Sequence, residues 1–358
     1  MNEAKLREIC SKFKMITEAQ PYGNGHINDT FLCESEPKII LQRINSNVFK
    51  KPEEVMENIY NVTEFLKKKI KAVGGDPDRE TLTVIRTTEE KSFYKDEEGN
   101  YYRMYKFIDD SLSYDIVENP VQLCYAGQAF GKFQQMLDDF PADTLHETIV
   151  NFHNTPVRVG NLKKAIEENK AGRLDSVKEE VEFALEYAKY ASEIVDAMSQ
   201  DLVPLRVTHN DTKLNNILFD KDTKEGLAVI DLDTVMPGSM LYDFGDALRF
   251  GASSGPEDET DLDKIYFDLE KYEQFAKGFL SETAKCLTEK EIELLPLSAL
   301  LMTYECGIRF LTDYLEGDTY FKIHREHHNL DRARNQFKLV ADIESKFSQM
   351  ADIVKKYK

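Results

Sequence analysis

Clustered basic residues, paired cysteines and long apolar runs are all missing from this sequence, and each absence removes a class of function. The formal net charge is −19 over 358 residues, with a sequence pI near 4.9. The longest basic run, Lys67-Lys68-Lys69 followed by Lys71, reads as the last turn of a helix, where cations complement the dipole. Binding a nucleic-acid backbone takes clustered Lys and Arg, so nucleic acid is not an expected partner. A single nucleotide is compatible with this charge, because a metal ion and a few basic groups can offset phosphates locally.

The five cysteines, Cys10, Cys33, Cys124, Cys286 and Cys306, are an odd number without a C-x-x-C pair. That argues against a disulfide framework or a zinc ribbon and for a reducing compartment. Met1 to Arg7 contains no apolar signal core, and no run of about eighteen apolar residues offers a membrane span. A cytoplasmic protein, with no membrane partner and working as a monomer, is expected. The N-x-T matches at Asn28, Asn61 and Asn210 are then chance matches. No internal repeat or flexible linker interrupts the chain, and its 41% hydrophobic content, 17 Gly and 11 Pro are those of an ordinary folded protein.

Three missing motifs narrow the chemistry. G-x-x-x-x-G-K-[ST] is absent, which removes the P-loop route to ATP. Gly23-x-Gly25 has Asn28 where G-x-G-x-x-G places its third glycine; the glycines let backbone N–H groups approach a phosphate, and an ordinary hairpin turn would look the same. The strand that follows, Lys38 to Ile44, has no central lysine to meet phosphates, only Arg43. Gln42 and Arg43 point to opposite faces, so Arg43 is either a phosphate ligand or a surface arginine, depending on register.

What is present centres on Leu205 to Phe219, an apolar stretch into and out of His209-x-Asp211-x-x-x-x-Asn216, followed by the apolar run Leu227 to Ile230 and Asp231. Phosphoryl transfer asks a protein to orient a hydroxyl, hold Mg²⁺ on phosphates and exclude water. Asp211 suits the first task as the base. Asn216 and Asp231 supply the hard oxygen donors that Mg²⁺ takes. His209 reads as a backbone brace. Asp243-Phe244-Gly245 spells the D-F-G of protein kinases, but Met236 to Tyr242 before it does not read as a strand, so Asp231 is the better metal ligand and Asp243 a loop brace or helix cap. No A-P-E follows. His324, His327 and His328 read as a surface cluster, since no third ligand accompanies them.

Periodicity places helices at residues 3–14 (Leu6, Ile9, Cys10 and Phe13 on one face) and at Pro52 to Lys71, stopped by Gly74-Gly75-Asp76-Pro77. Glu53, Glu54 and Glu57 either partner Arg43 or simply acidify the helix start. Strands are expected at Leu82 to Arg86 and Tyr101 to Ile108, and Phe107 and Ile108 would read an adenine edge. Helices dominate after Asn119, at Val121 to Leu137, Leu174 to Met198 and from Phe267 on. The expected class is α+β in two lobes: a small β-rich nucleotide-binding lobe over 1–108, and a larger, mainly helical lobe over 109–358 for catalysis and acceptor binding.

The His209–Asn216 motif with Asp231 resembles the aminoglycoside phosphotransferase and choline kinase superfamily, which implies a protein-kinase-like fold. Longer stretches, from Tyr22 to Asn28, Thr208 to Asn216, Ile230 to Ser239, Asp243 to Asp246, Arg249 to Ala252, Glu305 to Leu311 and Asp313 to Phe321, resemble the N-acetylhexosamine 1-kinase family more closely. The resemblance implies ATP- and Mg²⁺-dependent phosphorylation of the anomeric hydroxyl of N-acetylglucosamine or N-acetylgalactosamine. It implies Asp211 as base, Asn216 and Asp231 as metal ligands, and Asp233 as a further metal ligand or a support for one. His26, Arg249, Phe250, Arg309 and Tyr320 become candidates for the sugar pocket, and Gly23, Gly25, Asn28 and Arg43 for the phosphates. A relative acting on choline, an aminoglycoside or another sugar would share the same centre. Retention of Asp211, Asn216 and Asp231 argues against a non-catalytic nucleotide binder.

Overall fold

The structure, a computed structural model, describes residues 3–15, 18–23 and 27–358, which fall into two units. The first contains the N-terminal segment to Ser113 together with Met136–Val150 and Asn216–Pro237. The second contains Tyr114–Gln135, Asn151–Asn215 and Gly238–Lys358. Two segments later in the chain thus return to the first unit. Strand pairing explains the second return, as shown below.

Strands β1 (Ala19–Pro21), β2 (Asp29–Cys33), β3 (Ile39–Ile44), β4 (Val84–Ile85), β5 (Tyr94–Lys95) and β6 (Tyr101–Lys106) form one antiparallel sheet. Its order is β1-β2-β3-β6-β4, with β5 also on β6. Helix α1 (Glu3–Lys12) lays Leu6, Ile9 and Cys10, with Phe13 just beyond it, on a face made by Phe31, Leu41, Tyr102 and Met104. Helix α2 (Pro52–Ala72) has Pro at its start, Glu53 and Glu54 in the first turn and Lys69 and Lys71 in the last, the charge order the helix dipole favours. It buries Val55, Met56, Ile59, Val62, Leu66 and Ile70. β7 (Ser111–Leu112) leaves this sheet and pairs with β9 (Ile217–Asp220), which pairs with β10 (Gly226–Val229). The β9–β10 hairpin therefore belongs with the N-terminal segment.

The second unit is helical apart from β8 (Arg206–Thr208). Its helices are α3 (Pro120–Met136), α4 (Thr155–Glu168), α5 (Lys178–Tyr187), α6 (Glu193–Ser199), α7 (Met240–Gly251), α8 (Leu269–Thr283), α9 (Glu289–Glu316), α10 (His328–Ser345) and α11 (Phe347–Tyr357). The single helix expected over Leu174 to Met198 is broken into α5 and α6 by a tighter turn at Ala188–Tyr190. A short strand, β11 (Met236–Gly238), also forms where none was expected.

α9 is the core of this unit. A capping box, Thr288 with Glu291, starts it and Gly317 at φ 99° ends it. The same Glu291 takes both arms of buried Arg206, at 2.7 and 2.9 Å, tying α9 to β8. Its composition and length would let it cross a bilayer, although Glu305 and Arg309 interrupt its apolar stretch, and 83% of the apolar window is buried inside the fold. α7 lies against α9 at close range: a Cβ on Gly245 would sit 2.3 Å from the Ser298 carbonyl oxygen.

Candidate active site

Two carboxylates of α7 hold the loop that carries Asp211. Asp243 accepts the N–H groups of His209 at 2.9 Å and Asn210 at 2.8 Å, and the Gln134 amide donates to it as well. Burial pushes the Asp243 carboxyl above its ordinary value, against the pull of His209 and of these donors. Asp246 accepts the Thr212 N–H at 3.0 Å, and the Thr212 hydroxyl donates to the Asp243 carbonyl at 2.8 Å. The Asp243-Phe244-Gly245 sequence thus braces the loop. The helix cap is Ser239, which accepts the Leu241 N–H, and Asp243 lies in the first turn of α7, not at the end of β11.

His209 is fully buried, with its ring edge-on to Phe130 and Phe133. Its Nδ1 accepts the Asp211 N–H at 3.2 Å, so the imidazole helps to shape the turn that presents Asp211. Asn210, between them, is held at φ 65°, a conformation that costs a non-glycine residue free energy and clusters at functional sites. The Asp211 side chain remains 26% exposed and lies 2.9 Å from the Lys213 ammonium. The Lys213 ammonium is held above its ordinary value: burial lowers it, but Asp211 and then Asp246 raise it further. Lys213 was not foreseen from sequence; the signal available was a lysine two residues after Asp211.

Next to this loop lies a cavity of about 500 Å³, whose wall includes Lys213, Asn215, Arg249, Phe250, Glu257 and Gln336. Arg249 is buried between Asp246, at 3.1 Å, and Glu257, at 2.6 Å. Its guanidinium lies 3.8 Å from the centre of the Phe250 ring, and the Lys213 ammonium lies 5.5 Å from it. Gln336 is buried, and its Oε1 has no donor among the described residues. A second cavity of about 330 Å³ is lined by Arg158, Lys164, Arg309, Asp313 and Tyr320, among others. The candidate sugar residues are therefore divided: Arg249 and Phe250 line one cavity, Arg309 and Tyr320 the other. His26 and Gly25 lie outside the described residues.

Asn216 and Asp231 belong to the first unit, where the Ile230 N–H donates to the Asn216 carbonyl at 2.9 Å. Asp231 follows β10 in the left-handed region, at φ 57°. An amide oxygen and a carboxylate are the donor types a hard divalent cation takes. Asp233 is buried and paired with the guanidinium of Arg103, which is itself 1% exposed. Asn28 donates to the other Asp233 oxygen at 2.6 Å, while its own Oδ1 accepts the Asn45 N–H at 3.0 Å. The residue at the third-glycine position is thus a clasp between Asn45, just after β3, and Asp233. Gly23 sits at φ 72° with nothing within 4 Å of where a Cβ would be; the backbone angle alone calls for glycine.

Arg103 is the buried cation of this sheet. The register sets Gln42 opposite Arg103, and Arg103 Nε donates to Gln42 Oε1 at 2.9 Å. Burial would lower the Arg103 guanidinium, yet Asp233 first, with Tyr105 and Asp231, raises it well above its ordinary value. Arg43 sits opposite Asp29, pairs with it at 2.6 Å and is 44% exposed. None of the three α2 glutamates reaches Arg43: Glu53 accepts from Tyr101, Glu54 pairs with Lys51 and Glu57 with His146. At the end of β6, the Phe107 N–H donates to the Lys38 carbonyl, and the Phe107 ring meets the Tyr22 ring edge-on at 5.9 Å. Ile108 is buried. Of the C-terminal histidines, His327 bonds the Tyr314 hydroxyl and His328 pairs with Asp258.

With this geometry in hand, comparison with known proteins is informative. A family model described as a phosphotransferase enzyme family matches residues 18–276. Among solved structures, a microcompartment-associated aminopropanol kinase matches with a TM-score of 0.63 at 14% identity, covering 98% of this chain and 99% of that one. A choline kinase from Cryptosporidium parvum Iowa II matches with a TM-score of 0.58 at 15% identity, covering 99% of each. A spectinomycin phosphotransferase solved with ADP and its antibiotic matches with a TM-score of 0.58 at 13% identity, covering 98% of this chain and 99% of that one. At these identities the likeness is one of fold: a kinase-like arrangement of a small antiparallel sheet region and a larger helical part.

Proposed function

The chain belongs to the phosphotransferase enzyme family, and from that premise we propose that it transfers a phosphoryl group from ATP to the anomeric C1 hydroxyl of N-acetylglucosamine or N-acetylgalactosamine. The observation that carries the acceptor class is the wall of the larger cavity. The aminopropanol and choline kinases are named for acceptors that bear an amine or a quaternary ammonium, and such a cation calls for an open aromatic face or an uncommitted carboxylate. Here Phe250 is already flanked by Arg249 and Lys213. Glu257 is committed to Arg249, and the other carboxylate of the wall, Asp115, is exposed. Gln336 instead presents a buried acceptor, which suits a hydroxyl or acetamido N–H of a neutral sugar.

In this reading Asp211 orients the acceptor hydroxyl and takes its proton, and Lys213 holds the carboxylate in place. Asn216 and Asp231 would hold Mg²⁺, which when bound neutralises charge on the nucleotide phosphates. Asp233, locked by Arg103 and Asn28, stiffens the backbone that carries Asp231. Gly23, Gly25 and Asn28 are the residues proposed to face the phosphates, and Arg43 would exchange Asp29 for a phosphate oxygen. Phe107 and Ile108 lie beside the adenine. Arg249 and Phe250 are the proposed contacts of the sugar in the larger cavity, Arg309 and Tyr320 those of a substituent that extends to the smaller one, and His26 is a further proposed contact.

Incubation with ATP, Mg²⁺ and each N-acetylhexosamine, followed by phosphorus NMR, tests the assignment directly. A sugar 1-phosphate is expected. Robust turnover of choline with none of either N-acetylhexosamine would sink it. Replacing Lys213 with alanine is expected to lower kcat about tenfold to a hundredfold with both KM values little changed, because a positioning charge acts mainly on the reacting complex. Steady-state kinetics in both substrates checks this. For Arg309→Ala and Tyr320→Ala we expect a raised sugar KM and an ATP KM near that of the unaltered enzyme; the reverse pattern removes both from the acceptor site.

A further inference from the structure

The smaller cavity gathers three cations whose donors the protein leaves largely unmet. Arg158 on α4 and Arg309 on α9 face the same space. Burial, and after it the Arg309 charge, holds the Arg158 guanidinium below its ordinary value, with the Glu305 carboxylate pulling the other way. Buried donors without acceptors cost free energy unless a ligand meets them. Arg309 donates no hydrogen bond to a protein group among the described residues; its guanidinium lies 5.7 Å from the centre of the Phe152 ring and 5.5 Å from that of Phe321. Arg158 gives one nitrogen to the Phe152 carbonyl at 2.8 Å. Its Nε is buried with no acceptor among the described residues. Lys164, the third cation of the wall, reaches Glu168 only at 3.7 Å.

The carboxylates near these cations bond other groups. Buried Glu305, whose charge Arg158 and Arg309 feel, holds His153 at 2.9 Å and the Thr155 hydroxyl at 2.7 Å. The two carboxylates of the wall are engaged by other partners. Asp313 Oδ1 accepts the Thr319 and Tyr320 N–H groups, both at 2.8 Å, and Oδ2 accepts the Phe321 N–H at 2.9 Å and the Asn329 amide at 2.8 Å. Glu316 lies 3.8 Å from Lys170. The Asp313 bonds also fix the backbone of Tyr320, whose side chain is 72% exposed at the cavity wall.

We propose that this cavity binds an anionic substituent, a phosphate or carboxylate borne by a hexosamine, through Arg158, Lys164 and Arg309, with Tyr320 at its edge. Two guanidinium forks and an ammonium match an oxyanion with several acceptor oxygens, whereas a neutral hydroxyl would leave most of their donors unmet. The sugar part of this inference rests on the acceptor reading of Arg309 and Tyr320; the anion part rests on the cavity itself. It extends the acceptor class to sugars that carry negative charge away from the reacting hydroxyl.

Equilibrium titration without ATP separates the two parts. Inorganic phosphate, N-acetylglucosamine and N-acetylglucosamine 6-phosphate are titrated into the full-length protein and into Arg158→Ala, Arg158→Lys and Lys164→Ala. The charged sugar is expected to bind roughly tenfold tighter than the neutral one, with inorganic phosphate competing against it. That advantage should vanish in Arg158→Ala, return in part in Arg158→Lys and shrink in Lys164→Ala, a variant at a largely exposed position that leaves folding undisturbed. Equal affinity for the charged and neutral sugars, or an unchanged advantage in Arg158→Ala with an unaltered melting temperature, overturns the proposal. Arg158-dependent phosphate binding in a protein that phosphorylates neither hexosamine upholds the anion site and removes the acceptor assignment alone.

Discussion

Asp211→Asn is expected to lower kcat about a hundredfold to ten-thousandfold, the range that loss of a general base produces, while ATP binding persists. The substitution keeps size and removes charge and basicity. The loop around it should stay in place, because its backbone is anchored through other side chains. Asp243 holds the His209 and Asn210 N–H groups, Asp246 holds Thr212, and His209 Nδ1 accepts the Asp211 backbone N–H. Lys213 loses the charge of its 2.9 Å partner but keeps Asp246 in its field. A coupled assay of ADP release gives kcat, and calorimetric titration of nucleotide gives affinity. Near-normal turnover would remove Asp211 as the base, and loss of both turnover and nucleotide binding would assign it a structural task. Lys213→Ala is the useful companion, since a positioning charge should cost less than the base it positions.

How far the chain could be read in advance varied with the range of the interactions. Periodicity recovered α1 and α2 nearly to the residue, since Leu6, Ile9, Cys10 and Phe13 or Val55, Ile59, Val62 and Leu66 repeat locally. The brace by Asp243 was legible for a similar reason: a carboxylate that opens a helix is well placed to take the N–H groups of a neighbouring turn. Long-range partners were not. The strand after the glycine turn offers Arg43 as its cation, but β3 lies beside β6, whose first residue, Tyr101, comes fifty-seven positions after the last of β3, Ile44. Only that pairing puts Arg103 opposite Gln42 and against Asp233. The return of Asn216–Pro237 to the first unit has the same origin, a β7–β9 pairing between two- and four-residue strands. The division of Arg249 and Phe250 from Arg309 and Tyr320 between two cavities was invisible because sequence motifs report identity and spacing, not which way a helix face turns.

Arg103→Met should therefore be the costliest change for stability, at about 3–5 kcal/mol, the range for removing one partner of a buried ion pair. Methionine replaces the aliphatic stem and packs where Met56 already lines the guanidinium, so the loss isolates charge from volume. Asp233, 4% exposed, would be left with the Asn28 amide as its named side-chain donor, and Gln42 Oε1 would lose its bond. Chemical denaturation measures the loss, and a change below about 1 kcal/mol would show that the pair is solvated or redundant. The double variant Arg103→Met with Asp233→Leu distinguishes the charge from its neighbourhood. Removing both charges leaves nothing ionised without a partner, so the double variant should recover much of the stability lost in the single one. Activity should not recover with it: Asp231 stands two residues before Asp233 on the same turn and contributes to the field around Arg103. Recovery of folding without recovery of turnover would place the Arg103–Asp233 pair in the support of the catalytic backbone; recovery of both would reduce it to a fastening of the fold.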